Sequence, residues 1–162
     1  MATPLRIRRA QRADGALILT MVRELADYEK LAHEVVATET DVAAALFGPN
    51  ANTYCEIAEW DGEPAGQALW FNNFSTFRGC NGLYLEDLYV RPAFRGRGIG
   101  RTLLARLADL CVENGWPRMD WAVLDWNQTA IDFYRAQGAE VAPDWRLVRL
   151  EGAALAALAK SG

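Results

Sequence analysis

Polar and apolar positions alternate in the stretch LRIRRA, where Leu5 and Ile7 stand against Arg6 and Arg8, and the period of two predicts a first strand. The period then changes. From Gln11 to Glu29 the apolar residues Ala16, Leu17, Leu19, Met21, Val22, Leu25 and Ala26 recur at helical spacing, with Asp14 near the positive end of the helix dipole. A second, shorter helix is expected from Thr38 to Phe47. Thr38 and Asp41 have the spacing of a capping pair, and Gly48-Pro49-Asn50 ends the run.

Strand signals follow. TYCEIAEW and AGQALWFNNF flank the turn DGEP and read as a hairpin, and NGLYLEDLYV is a third strand bounded by Asn81-Gly82 and Pro92. A helix is expected from about Gly98 to Asn114, with the stripe Leu103, Leu104, Leu107, Leu110 and Cys111, stopped by Gly115. MDWAVL reads as a strand, NQTAIDFYRAQ as a helix capped by Asn127 and ended by Gly138, WRLVRL as a last strand and EGAALAALAK as a short helix. With one more strand around 139–142, the pattern predicts an α/β fold. Its sheet is mixed, mostly antiparallel, of six to seven strands, with helices on both faces.

Composition narrows the chemistry. A chain of 162 residues, half of them apolar, is expected to form one domain over 1–162 with its own core. There is no apolar run long enough for a membrane helix, and MATPLRIRRA lacks the apolar centre of a signal peptide, so a cytoplasmic protein with no membrane partner is expected. Cys55, Cys80 and Cys111 lack metal or redox spacing, and the single histidine, His33, has no Cys or His at ligand spacing, so no metal is expected. A net charge of −4 argues against a nucleic-acid partner.

That acidic balance makes RPAFRGRGIGR, residues 91–101, stand out. Glycines accept positive φ and carry no Cβ, and successive N–H groups at a helix N-terminus converge on anions. Both common nucleotide fingerprints fail here. Gly100 is followed by Arg101-Thr102 rather than by the lysine of a phosphate-binding loop, and Arg101 stands where a dinucleotide fold needs its third glycine. Taken alone, the stretch is either an anion cradle or a tight turn.

Its neighbours extend the reading. Arg95, Gly98 and Gly100, following LEDLYVRPAF, resemble the acetyl-CoA pyrophosphate loop of the GNAT superfamily of N-acetyltransferases. IRRA with Asp14 resembles that family's first strand and helix start, and WNQTAIDFYRAQGA its second acetyl-CoA element. VRELADYEK, YLEDLYV, RGRGIG, DWNQTAIDFY and WRL, in that order, resemble the spermidine/spermine and thialysine acetyltransferase branch.

The resemblance implies a GNAT fold in which the acetyl-pantetheine arm lies between two splayed strands, here 83–90 and 119–124. It implies that Leu88, Tyr89 and Val90 bind the arm through backbone groups, that Arg95, Gly96, Arg97, Gly98, Ile99, Gly100 and Arg101 hold the pyrophosphate, and that Asn127 binds the pantetheine side. Tyr134 would protonate the leaving thiolate, a role suited to a phenol. Glu86 would bind the amine and accept its proton through water, Asp87 would complete an acidic site, Tyr28 and Glu29 would line the amine pocket, and Trp145 would offer it an aromatic wall.

The activity implied is transfer of acetyl from acetyl-CoA to a primary amine of a small diamine or polyamine-like substrate, by a homodimer. The alternatives are thialysine or another amino-acid-like amine, a protein amine, an antibiotic, or a regulatory module that binds acyl-CoA without chemistry. Read from the residues alone, Glu86 equally suits a structural salt bridge and Tyr134 a packed helix position. Trp70, Phe71, Phe74 and AALAALA are candidates for an exposed dimer face. Arg78, Asp120 and Pro143-Asp144 depart from the branch, and a long polycation is disfavoured beside Arg78.

Overall fold

The computed structural model describes residues 4–161, in two compact units that divide after Ala122. The first holds a five-stranded sheet in the order β1-β2-β3-β4-β5. Strands β1 (Leu5–Arg9), β2 (Thr53–Trp60), β3 (Glu63–Ser75) and β4 (Cys80–Val90) are successively antiparallel, and β5 (Met119–Asp120) is parallel to β4. Helices α1 (Gly15–Tyr28), α2 (Glu39–Phe47) and α3 (Ile99–Asn114) complete the unit. The second unit carries α4 (Gln128–Ala136) and α5 (Gly152–Ala159).

Local chemistry sets the helix starts. Thr38 Oγ1 accepts the Asp41 N–H while the Asp41 carboxylate accepts the Thr38 N–H, so α2 opens with a reciprocal cap. Asp14 accepts the Gln11 N–H and a two-pronged bond from Arg8 at 2.7 and 2.9 Å, and Arg8 also donates to Glu59 at 2.7 Å. This network ties the end of β1 to the start of α1, and the guanidinium holds the Asp14 carboxyl below its ordinary range.

Alternation along β2 sorts the two faces. Cys55 and Ile57 join Ala10, Ile18 and Leu69 in a cluster under α1, with Val42, Leu46 and Phe47 packed against it. Glu56 turns the other way, where Arg9 lies at 3.0 Å and Arg106 of α3 at 3.9 Å. Helices therefore cover both faces, as the sequence pattern predicts. Glu56 is 1% exposed, and its charge is tolerable because two guanidinium groups meet it.

The strand count departs from expectation. Among the described residues the sheet has five strands, not six or seven, and the strand predicted over 119–124 is reduced to Met119–Asp120. The β4–β5 register ends at Tyr84↔Asp120, just before β4 takes up an extra residue. Residues 139–142 and 145–150 form no strand. In WRLVRL the apolar Leu147 and Val148 are adjacent and both more than three-quarters exposed, so no buried face fixes a register there. Trp70 is not an exposed dimer residue. It is 3% exposed, stacked on Tyr54 at 4.5 Å and close to Trp116, whereas Phe74 is exposed.

Leu103 of α3 is fully buried while Val112 on the same helix is 82% exposed. Leu103→Ala is expected to lower unfolding free energy by about 2–5 kcal/mol, whereas Val112→Ala should stay within about 0.5 kcal/mol. Urea unfolding followed by circular dichroism measures both, and equal losses would contradict the assigned core face.

Candidate functional site

Strand β4 carries most of the chemistry. Its register with β3 runs Leu69↔Asp87 and then Trp70↔Leu85, so Glu86 is an additional residue in β4, a β-bulge. Bulges bend a strand and re-aim side chains. The strict alternation expected for Glu86 and Asp87 is therefore interrupted. Glu86 is exposed, and Asp87 is partly buried on the side of α1 with Tyr89.

Backbone parity identifies which groups of β4 are open. The Arg91 N–H donates to Ala65 O at 2.9 Å, so Arg91, Tyr89 and Asp87 point their backbone groups at β3. Leu88 and Val90 point theirs the opposite way. On that side the Leu83 N–H donates to Arg118 O at 3.0 Å, and among the described residues β4 has no strand partner beyond Tyr84. Of the three residues expected to bind an extended arm through their backbone, Leu88 and Val90 have suitable groups, and those of Tyr89 are used within the sheet.

The glycine-rich turn leads from β4 to α3. Gly96 and Gly98 have φ of 76° and 77°, which only glycine adopts without strain, and Gly98 is the N-cap of α3. The first intrahelical bond is the Thr102 N–H to Gly98 O at 3.0 Å, so the N–H groups of Ile99, Gly100 and Arg101 have no acceptor within the helix. Such groups bind anions with the help of the helix dipole.

The arginines are less free than expected. Arg91 donates from Nε and Nη2 to both carboxylate oxygens of Glu24 at 3.0 and 2.9 Å. Arg95 donates to Val90 O and lies over the rings of Tyr28 and Tyr89, and Arg97 lies over Trp60 and Phe94. Arg101 is exposed in the first turn of α3.

Acidic groups gather across β4 from one end of α1. Burial, then the charges of Glu86 and Glu29, push Asp87 up to about 6, and burial raises Glu29 as well. Tyr84 is raised by burial first and then by the charges of Glu86 and Asp120. Asp120, one of the departures from the resembled branch, is held by Arg118 at 2.8 Å and Asn73 at 3.2 Å. Glu24, further back on α1, is taken up by Arg91. Arg78 lies on the exposed turn beyond Ser75, and the seven residues of β4 from Cys80 to Glu86 span roughly 20 Å, so it sits at the opposite end of the strand from the acidic group.

In the second unit, Asn127 caps α4 by accepting the Ala130 N–H at 3.2 Å. Tyr134 is half-buried on α4, its ring 5.4 Å from that of Phe133. Trp145 is 83% exposed in an irregular segment. Among the described residues no cluster of three His, Cys, Asp or Glu side chains suits a metal, and no helix is long and apolar enough to cross a membrane.

Comparison with known proteins adds independent observations. The family model "Acetyltransferase (GNAT) family" matches residues 19–139. The thialysine N-epsilon-acetyltransferase of Bos taurus is 40% identical over 164 residues, covering 94% of this chain and 96% of that protein. The L-ornithine N5-acetyltransferase of Arabidopsis thaliana is 32% identical, covering 96% and 88%. Among solved structures, an integron cassette protein from the mobile metagenome of V. cholerae superposes with a TM-score of 0.83 at 27% identity, covering 99% of this chain and 100% of that one.

The elevated Asp87 acid has a pH signature. An unfolded aspartate titrates near pH 3.9 and the folded one at about 6, so the folded state holds this proton more tightly between those values. The contribution of Asp87 to stability is therefore fully present below about pH 4 and is lost as the pH rises through 6. Asp87→Asn, which cannot ionise, should gain about 2–3 kcal/mol on the native protein between pH 4 and pH 7.5 in urea unfolding. A difference that is the same at both pH values would show that ionisation of Asp87 carries no such cost.

Proposed function

Because the chain belongs to the GNAT family and is an N-acetyltransferase, we propose that it moves the acetyl group of acetyl-CoA to the terminal amine of a short diamine or diamino acid of the thialysine type. The observation that carries this reading is the β4 edge beyond Tyr84. Its Leu88 and Val90 backbone groups face away from β3, and it leads directly into the N–H cradle of α3.

Acetyl-CoA supplies an activated thioester and a diphosphate handle. The N–H groups of Gly96 to Arg101 take the diphosphate, with Arg101 adding charge, and the Leu88 N–H donates to the thioester carbonyl oxygen. Hydrogen bonds aimed at that oxygen favour the transition state as negative charge grows on it. Asn127 holds the pantetheine side.

The acceptor must lose a proton before its nitrogen can attack. Glu86 accepts it through a water molecule, while Asp87, Glu29 and Tyr28 receive the ammonium and Trp145 covers its alkyl chain. As the C–N bond forms and the C–S bond breaks, Tyr134 gives its proton to the departing sulfur, and the second proton of the amine nitrogen, lost as the amide forms, restores the phenol. The names of two relatives support a diamino acid, since thialysine and L-ornithine share a side-chain amine. The two units are read as one acetyltransferase domain acting as a cytoplasmic homodimer. The exposed apolar residues Trp145, Leu147, Val148, Leu155 and Leu158 support an interface between copies.

Acetyl-CoA with a panel of thialysine, ornithine, diaminopropane, spermidine, an aminoglycoside and a lysine peptide is expected to release thiol with the first three. Thiol release only with the aminoglycoside or the peptide would refute the small-amine acceptor. Tyr134→Phe should lower kcat about 10²–10³-fold while calorimetry shows coenzyme A binding retained. An unchanged kcat would remove Tyr134 from the mechanism.

A further inference from the structure

Two arginines four residues apart grip two residues four apart on α1. Arg91 holds Glu24 with two hydrogen bonds, and the Arg95 guanidinium carbon lies 5.0 Å from the centre of the Tyr28 ring. Positions 24 and 28 share one helix face, so both ties fall on one stripe at the C-terminal end of α1. Arg95 reaches the other side as well. Its Nε–H donates to Val90 O at 3.0 Å, and its guanidinium lies 6.0 Å from the Tyr89 ring. Val90 O belongs to the backbone groups that face away from β3, so Arg95 occupies the last acceptor on the edge proposed to receive the donor arm.

We propose that Arg95 is a positioning residue rather than a phosphate ligand. It clamps the end of α1, with Tyr28 and the adjacent Glu29, to the end of β4. The residues that receive the acceptor are thereby held in register with the strand that receives the donor. This rests on the acetyl-transfer reading above. Three features carry it. Nε is committed to a carbonyl, the guanidinium carbon lies over the Tyr28 ring, and Arg91 fastens the same helix one turn earlier. A guanidinium fits this task because it can stack with its face while donating in its plane. Loosening the clamp lets Tyr28 and Glu29 drift from the acceptor while the N–H cradle at Gly96–Arg101 remains formed by backbone.

The test compares acetyl-CoA with acetyl-pantetheine, which has the same thioester arm and no diphosphate, using an amine the native protein acetylates. Arg95→Gln is expected to raise the acceptor KM about tenfold or more with both donors, while KM for either donor moves less than about threefold. Arg95→Lys, which keeps the cation, and Tyr28→Phe, which keeps the ring, should each lose less than Arg95→Gln and Tyr28→Ala. The Arg95→Gln/Tyr28→Ala double variant should be no worse than the poorer single variant. A rise in KM for acetyl-CoA alone, absent with acetyl-pantetheine, would make Arg95 a phosphate ligand and overturn the proposal, as would additive effects of the two substitutions. If the native protein acetylates no amine, the acetyl-transfer reading fails separately. The clamp is then decided by hydrogen exchange. Arg95→Gln should speed exchange of the amides at Tyr28–Leu31 about tenfold, and unchanged exchange there overturns it.

Discussion

Strand β4 has one residue more than its pairing with β3 requires, and that residue is Glu86. Much of the site follows from this irregularity. A regular β4 could continue its parallel ladder with β5, and its outer N–H and C=O groups would be spent inside the sheet. The ladder instead ends at Tyr84↔Asp120, and Leu88 and Val90 keep backbone groups directed away from β3. An extended substrate arm with amide groups can meet such an edge as a strand would. The same bulge leaves Glu86 exposed beside the partly buried Asp87, which concentrates negative charge where the proposed acceptor would bring its ammonium.

The electrostatics of the neighbouring turn divide between backbone and side chains. Positive φ at Gly96 and Gly98 sets up the first turn of α3, whose N–H groups have no acceptor within the helix and suit an anion without help from a side chain. Most of the arginine charge serves other purposes. Arg91 neutralises Glu24, Arg95 bridges Tyr28 to the end of β4, and Arg97 covers Trp60. A basic stretch in an acidic chain therefore functions largely as fastening between helix, strand and loop, with Arg101 left exposed beside the cradle.

Much of this was legible in the sequence. Period and capping residues identify α1, α2, α3 and α4 closely, and TYCEIAEW coincides with β2. The Thr38–Asp41 pair and the Asn127 cap behave as their residue types predict. What pattern alone misreads depends on partners. MDWAVL is apolar enough to read as a strand, yet the bulge in β4 deprives it of a ladder after Asp120. WRLVRL has strand composition without a buried face. Trp70 looked like a surface aromatic, but its strand neighbours Tyr54 and Arg9 enclose it. The roles of Arg95 and Asp120 were equally hidden, because they arise from contacts between distant segments and not from spacing.

The central claim is that the donor arm binds along the open edge of β4 and its diphosphate in the first turn of α3. Amide nitrogen–proton NMR during a coenzyme A titration tests it most directly. The account predicts that the largest shifts fall on the amides of Leu88, Val90 and Gly96 to Arg101, with Tyr89 affected less because its N–H stays bonded to β3. Saturable binding that leaves Leu88 and Val90 unmoved while shifting amides elsewhere would contradict it.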